Sequence, residues 1–271
     1  MSSPTVPTGR QSESDVLDVR AAVWRERPLL REIYHRYFAE MCEHLAEGGG
    51  TILELGGGSG NFKEYFRSHH ANQGTLIASD VVATPHCDLV ADAMALPFGD
   101  GSLDNIVMMD VLHHVPFPLR FFAEAQRVLR PGGRIVMMEP YVSPASRLVF
   151  KLAHPEPAVT SAVVFGDPDP SPVCGEGRGG AFASNQATPT LIFYRDLVKF
   201  RRRFDQLKLI VRKRRSLLLY PLSGGFSGPK LMPYGVGRFL WPLERILSPL
   251  AGLMAFRLLV VLERTACKHA G

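Results

Sequence analysis

Thr51-Ile-Leu-Glu-Leu-Gly-Gly-Gly-Ser-Gly-Asn-Phe62 is the stretch that decides the fold of this chain. Its first five residues are apolar apart from Thr51 and Glu54 and too few for a helix, so they read as a buried strand. The glycines read as a tight turn, and Asn61 onward as the start of a helix. Gly56, Gly58 and Gly60 have no Cβ and reach backbone angles that cost other residues free energy, so the chain can pass close to a nucleotide-like ligand. The following helix begins with N–H groups that have no partner within it. Taken alone, such a turn also suits a dinucleotide or a plain tight bend.

Downstream the hydrophobic period alternates between that of strand and helix, as βαβ units require. The spacing predicts a helix over 61–70, a strand over 74–79 ending at Asp80, a short strand over 87–91 delivering Asp92, and a strand over 103–109 delivering Asp110. A helix over 118–129, closed by Arg130-Pro-Gly-Gly133, leads to a strand over 134–138 that delivers Glu139. Strands that each end in a carboxylate are expected where a ligand lies across the C-terminal edge of a parallel sheet. Upstream, residues 1–14 read as a flexible N-terminus and 15–47 as two helices broken near Pro28. Beyond Val142 the rhythm fails: prolines and glycines crowd 142–189, with one short helix over 145–152. A helix over 194–204 and a strand over 207–213 follow, then a second insertion starting at Tyr220, a broken helical stretch over 239–256 and a last strand over 256–263. Connections this long inside a compact domain are generally functional, so 142–189 and 220–256 are expected to form a substrate lid on a single domain spanning 15–271.

The chain has 271 residues, 46% of them hydrophobic, which suffices for one sizeable core. Its net charge of +5 is local, because residues 195–215 hold ten basic and two acidic side chains. Cys42, Cys87, Cys174 and Cys267 are far apart with no CxxC, so neither a metal site nor a disulfide framework is expected. The N-terminus lacks the apolar core of a signal peptide, and charges interrupt the greasy stretch near the C-terminus, so a cytoplasmic protein is expected.

The set Glu54-Leu-Gly-Gly-Gly-Ser-Gly60, Asp80, Asp92-Ala-Met-Ala-Leu-Pro-Phe98, Asp104 to Val115 with Asp110-Val-Leu-His-His114, and Arg127-Val-Leu-Arg-Pro-Gly-Gly-Arg134 resembles the class I S-adenosylmethionine-dependent methyltransferases. Within them it is most similar to the small-molecule branch that includes ubiquinone and menaquinone biosynthesis enzymes. The resemblance implies an α/β, Rossmann-like fold, with a seven-stranded, mostly parallel sheet, its last strand antiparallel and helices on both faces. It implies S-adenosylmethionine as cofactor, with Gly56, Gly58 and Gly60 around the methionine part and Glu54 beneath them. Asp80 would take the ribose hydroxyls and Asp92 the adenine amine, with Ala93 and Met94 against the base and Asp110 and Val111 beside the sulfonium. Tyr34 is a candidate to close over the cofactor.

A hydroxyl or acidic carbon acceptor needs a base, for which histidine has a suitable pKa. His114 and His113 are the first candidates, Tyr141 and His154 the second. The expected substrate is a small, apolar or aromatic metabolite. No nucleic-acid partner is expected, since only Phe200 and Phe204 interleave the basic run; peripheral membrane contact and a homo-oligomer are compatible with the apolar stretch over 239–256. Two rival readings are a non-catalytic binding protein on the same fold and a nicotinamide-dependent oxidoreductase. The latter shares the glycines but leaves Asp92-Ala93 and Asp104 to Asp110 unexplained.

Overall fold

Seven strands form one sheet in the order β3-β2-β1-β4-β5-β7-β6. The computed structural model describes residues 13–153, 156–166, 172–173 and 183–266. The strands are β1 (Thr51–Leu55), β2 (Thr75–Asp80), β3 (Leu89–Val90), β4 (Leu103–Met109), β5 (Leu129–Pro140), β6 (Leu207–Arg215) and β7 (Arg257–Arg264). The first five pair in parallel, and β7 runs antiparallel to both β5 and β6. β7 is an almost unbroken apolar run because it is buried on both faces between two neighbours. β6 alternates exposed and covered residues and carries lysines and arginines, a charged edge that resists pairing with other chains.

Helices α1 (Glu13–Glu26) and α2 (Pro28–Cys42) precede the sheet, divided at Arg27-Pro28 as the sequence implies. Proline at the first turn of α2 has no N–H to leave unsatisfied, so it starts a helix well. α3 (Asn61–His69), α4 (Pro118–Val128) and α5 (Pro144–Ala153) follow. One apolar layer packs Tyr34 and Phe38 of α2 with Phe62 and Phe66 of α3 on one face of the sheet. The other packs Phe121 and Phe122 of α4 with Phe193 and Phe200.

Two expected boundaries differ. β5 begins at Leu129, not Arg134, because Leu103 pairs with Leu129 and the register then shifts, which takes Pro131-Gly132-Gly133 into the strand as an irregularity. The helix expected over 194–204 is split: Leu191–Arg195 is a wide turn, and a regular helix spans only Leu197–Arg203. The broken helical stretch expected over 239–256 belongs to a chain of turns of six residues or fewer that runs from Tyr234 to Met254. The expected flexible segment lies outside the described residues up to residue 12. No described helix is long and apolar enough to cross a membrane.

The order reverses between β1 and β4: the chain builds outward through β2 and β3, then returns to the other side of β1. Ligands of open parallel sheets bind at that reversal, beyond the carboxyl ends of the strands.

Candidate active site

β1 is buried to its end, which leaves Glu54 inside the protein with 5% exposure and its Oε2 without a hydrogen-bond partner. Burial pushes its carboxyl up to about 8 against the pull of Lys63. An acid so placed lacks a cation. Immediately beyond it Gly56, Gly58 and Gly60 all take positive φ. A Cβ on Gly56 would lie 2.3 Å from Val111 Cγ2, so the loop and the residue after Asp110 are in contact with no room for a side chain. Gly57 N–H donates to Ser79 O at 2.8 Å and Gly58 N–H to Asp80 Oδ2 at 2.9 Å, tying the loop to the end of β2.

Two cavities meet over this loop. The larger, about 370 Å³, is lined by Asp80, Val81, Asp92, Ala93, Met94 and Val111, among others. Its volume is in the range of small-ligand sites. The smaller, about 130 Å³, is walled by Glu54, His113, Glu156 and Arg257 and by aromatic rings from several elements. Leu17, Arg20, Gly56, Gly58, Asp110 and His114 line both. The expected cofactor carboxylates are thus brought together, as are Tyr34, His113 and His114. Gly60 lines neither cavity; it caps α3 in a left-handed conformation beside His86. Tyr141 also lies outside both, buried among Tyr194 and the Arg214 guanidinium, because its strand end is covered by residues 191–195. His154 lies outside the described residues.

Among the described residues, Asp110 is one of two non-glycine residues with positive φ, at 60°. This turn aims its carboxylate at Arg257, the first residue of β7, which it pairs with through both oxygens. Tyr34 O–H donates to the same carboxylate at 2.8 Å, and Tyr220 lies 4.4 Å beneath the guanidinium. Burial raises the Asp110 carboxyl, but Arg257 outweighs it and holds it below the ordinary range. Sequence reading did not find Arg257; the signal was a charge opening an otherwise apolar strand.

Glu139 is fully buried and holds the β4 exit loop: its Oε1 accepts from Val111 N–H and Leu112 N–H, each at 2.8 Å, and its Oε2 from His113 Nδ1 at 2.8 Å. It belongs to the scaffold and does not reach either cavity. His113 Nε2 faces Glu156 Oε2 at 3.5 Å. Burial works against a charge on His113, yet the two carboxylates raise it to about 9. His114 gives Nδ1 to Ala183 O at 3.2 Å; burial and the neighbouring His113 push it down to about 3. The adjacent histidines therefore differ: His113 lies between two carboxylates that favour its proton, whereas burial beside His113 disfavours one on His114, which lines both cavities. No metal site was expected, yet one ligand atom from each of His113, His114 and Glu156 lies within 4.8 Å of the others.

These residues suit S-adenosylmethionine on the structure's own terms. Glu54 has an unpartnered buried carboxylate oxygen suited to a cation, the glycine loop leaves the space of absent Cβ atoms, and Asp80 and Asp92 line the larger cavity. Residues 53–137 match the family described as methyltransferase domain. An uncharacterized methyltransferase of Mycobacterium sp. (strain KMS) is 35% identical over 104 residues, covering 33% of this chain and 38% of that protein. Another, from Mycolicibacterium paratuberculosis (strain ATCC BAA-968 / K-10), is 39% identical over 98 residues with the same coverages of 33% and 38%. The chain therefore matches well under half the length of these relatives. Among solved structures, the [4+2]-cyclase SpnF aligns over 86% of this chain and 82% of its own at 16% identity with a TM-score of 0.51, a likeness of fold. Residues 53–137 thus resemble a methyltransferase domain, and they sit in a seven-stranded sheet whose strand order and glycine loop are those expected of the class I, S-adenosylmethionine-dependent fold.

Proposed function

We propose that this protein transfers a methyl group from S-adenosylmethionine to an oxygen, carbon or nitrogen atom of a small, apolar or aromatic metabolite. The carrying observation is that the larger cavity, with Asp80 and Asp92, shares walls with a smaller one that holds Glu54 and, beside its polar groups, Phe38, Phe150, Tyr220, Phe226 and Phe256. These residues come from the N-terminal helices and both insertions, which supports reading 15–47, 142–189 and 220–256 as the lid that selects the acceptor.

The cofactor supplies an electrophilic methyl group on a sulfonium. The chain's part is placement: Glu54 holds the amino group, Asp80 and Asp92 the nucleoside, and the Asp110–Arg257 pair fixes the wall between donor and acceptor. Enclosure by aromatic rings excludes water and favours in-line approach. Incubating the full chain with S-adenosylmethionine and a panel of phenols, quinols, aromatic amines and polar sugars tests this. Products one methyl group heavier are expected from the aromatic acceptors. Methylation confined to sugars or other polar aliphatic compounds overturns it.

The lid also presents an apolar and basic face, which supports peripheral contact with an anionic membrane. Phe239 is 77% exposed, Ile246 70% and Leu152 73%, and Arg238 lies over the Phe239 ring, with Arg245 next to Ile246 in sequence. α5 packs on Ala251–Met254, which joins the two insertions, while Phe150 of α5 lines the smaller cavity. Such combinations of apolar and basic groups bind anionic lipid surfaces. Co-sedimentation with phosphatidylserine-rich vesicles is expected, weakened by salt and by Phe239→Asp. Binding that is equal on neutral vesicles, or a dimer that buries this face instead, contradicts it.

A further inference from the structure

We propose that His113, His114 and Glu156 form a binding site for a divalent transition-metal ion of the zinc class at the acceptor end of the active site. The three side chains offer one nitrogen each from two imidazoles and one carboxylate oxygen, a donor set suited to zinc or ferrous ions. Their ligand atoms lie within 4.8 Å of one another, and the His113 Nε2 to Glu156 Oε2 separation is 3.5 Å. A tetrahedral ion with ligands at about 2.0–2.1 Å places them about 3.3 Å apart, so one edge of the site is already at metal-binding length.

The surroundings are those that metal-ligating histidines need. Such a ring donates its second N–H to a carboxylate or a backbone carbonyl, which fixes its tautomer and direction. His113 donates Nδ1–H to buried Glu139 at 2.8 Å, and His114 donates Nδ1–H to Ala183 O at 3.2 Å. Both rings thus present Nε2 toward the cavity side. Each is anchored from a different element, His113 from β5 and His114 from the loop ahead of Asn185, whose own N–H holds the His113 carbonyl at 2.8 Å. Gln186 steadies Glu156 through its side-chain amide. Arg20 lies 3.7 Å from Glu156 and is 35% exposed.

The ion would face the chamber proposed for the acceptor. If the methyl-transfer reading holds, a hydroxyl bound to it loses its proton to water near neutral pH. The oxygen then attacks the methyl carbon: the C–O bond forms, the C–S bond breaks, and its electron pair stays on sulfur as a neutral thioether.

Metal binding is read without S-adenosylmethionine, so its failure is separate from failure of the methyl-transfer reading. Titrating the full-length chain with Co²⁺, followed by visible absorption and by metal content after gel filtration, is expected to give one bound ion per chain. His114→Ala and Glu156→Gln should abolish the absorption, and Glu139→Gln should weaken binding by about 10–100-fold. Asp80→Ala, which touches only the cofactor side, should leave it unchanged. No stoichiometric Co²⁺ in the wild type, or equal affinity in Glu156→Gln, a conservative change on a part-exposed loop, overturns the proposal.

Discussion

Glu54 carries more of the argument than any other side chain, because a buried carboxyl with an unpartnered oxygen is costly unless a cation arrives. Its pKa in the ligand-free fold is raised from 4.5 to about 8, so the folded state holds a proton that the unfolded chain has given up. Its contribution to stability is therefore greatest at low pH and declines as pH rises from 4.5 towards about 8. The thermal midpoint of the ligand-free protein should fall across that window, and Glu54→Gln should flatten the fall. An ammonium group beside Glu54 reverses the preference, so binding S-adenosylmethionine near neutral pH should release a proton. Titration calorimetry in two buffers of different ionisation enthalpy reads that release, which Glu54→Gln should remove.

Asp80 combines two jobs, since its oxygens also receive Gly58 N–H at 2.9 Å and Val82 N–H at 3.1 Å. Asp80→Ala should weaken cofactor binding by about 10–100-fold, the worth of hydrogen bonds to a charged group. Arg257 is different: it is 2% exposed and paired to Asp110. Arg257→Met alone leaves the part-buried Asp110 carboxylate uncompensated and should destabilise the fold, by less than the about 3–5 kcal/mol of a fully buried pair. Adding Asp110→Asn should recover much of that, whereas additive losses in urea denaturation would contradict the coupling.

At the scale of elements, the glycine loop and the strands on either side of it were legible because each is fixed locally. The period of Leu103 to Met109 allows no other reading, and the observed strand has those bounds. The loop's closeness to Val111 was not legible, because it depends on two segments far apart in sequence. Gly56→Ala meets both a positive φ and Val111 at 2.3 Å, so it should cost about 1–3 kcal/mol and cofactor binding. Gly99→Ala, with nothing within 4 Å of the added carbon, should do neither. The start of β5 was misread for a related reason: Arg130-Pro-Gly-Gly133 has the composition of a turn, and only pairing with β4 holds it extended. Likewise Glu139 looked like one more strand-end carboxylate for the ligand, yet the amides of Val111 and Leu112 occupy it.

Across the whole molecule, the sequence delivered the donor half of the site and little of the acceptor half. Donor residues lie within 54–111 at fixed offsets; Arg20, Glu156 and Arg257 converge from three remote segments, and no spacing announces them. Part of the charge of the basic segment 195–215 is taken up by pairs within the segment and by tertiary contacts. Arg195 and Lys199 pair with Asp196, Arg212 donates to the Phe193 carbonyl, Arg214 lies over Tyr194, and Arg215 pairs with Glu40 of α2. Much of that charge therefore fastens β6 to its surroundings. The claim on which the rest depends is that the reversal between β1 and β4 is an S-adenosylmethionine site. Titration calorimetry of the full chain with S-adenosylmethionine measures it directly. Saturable binding to one site is predicted, displaced by S-adenosylhomocysteine and weakened by about 10–100-fold in Asp80→Ala. No saturable binding by about millimolar cofactor, where binding free energy falls to about −4 kcal/mol, or binding of a nicotinamide dinucleotide in its place, would contradict it.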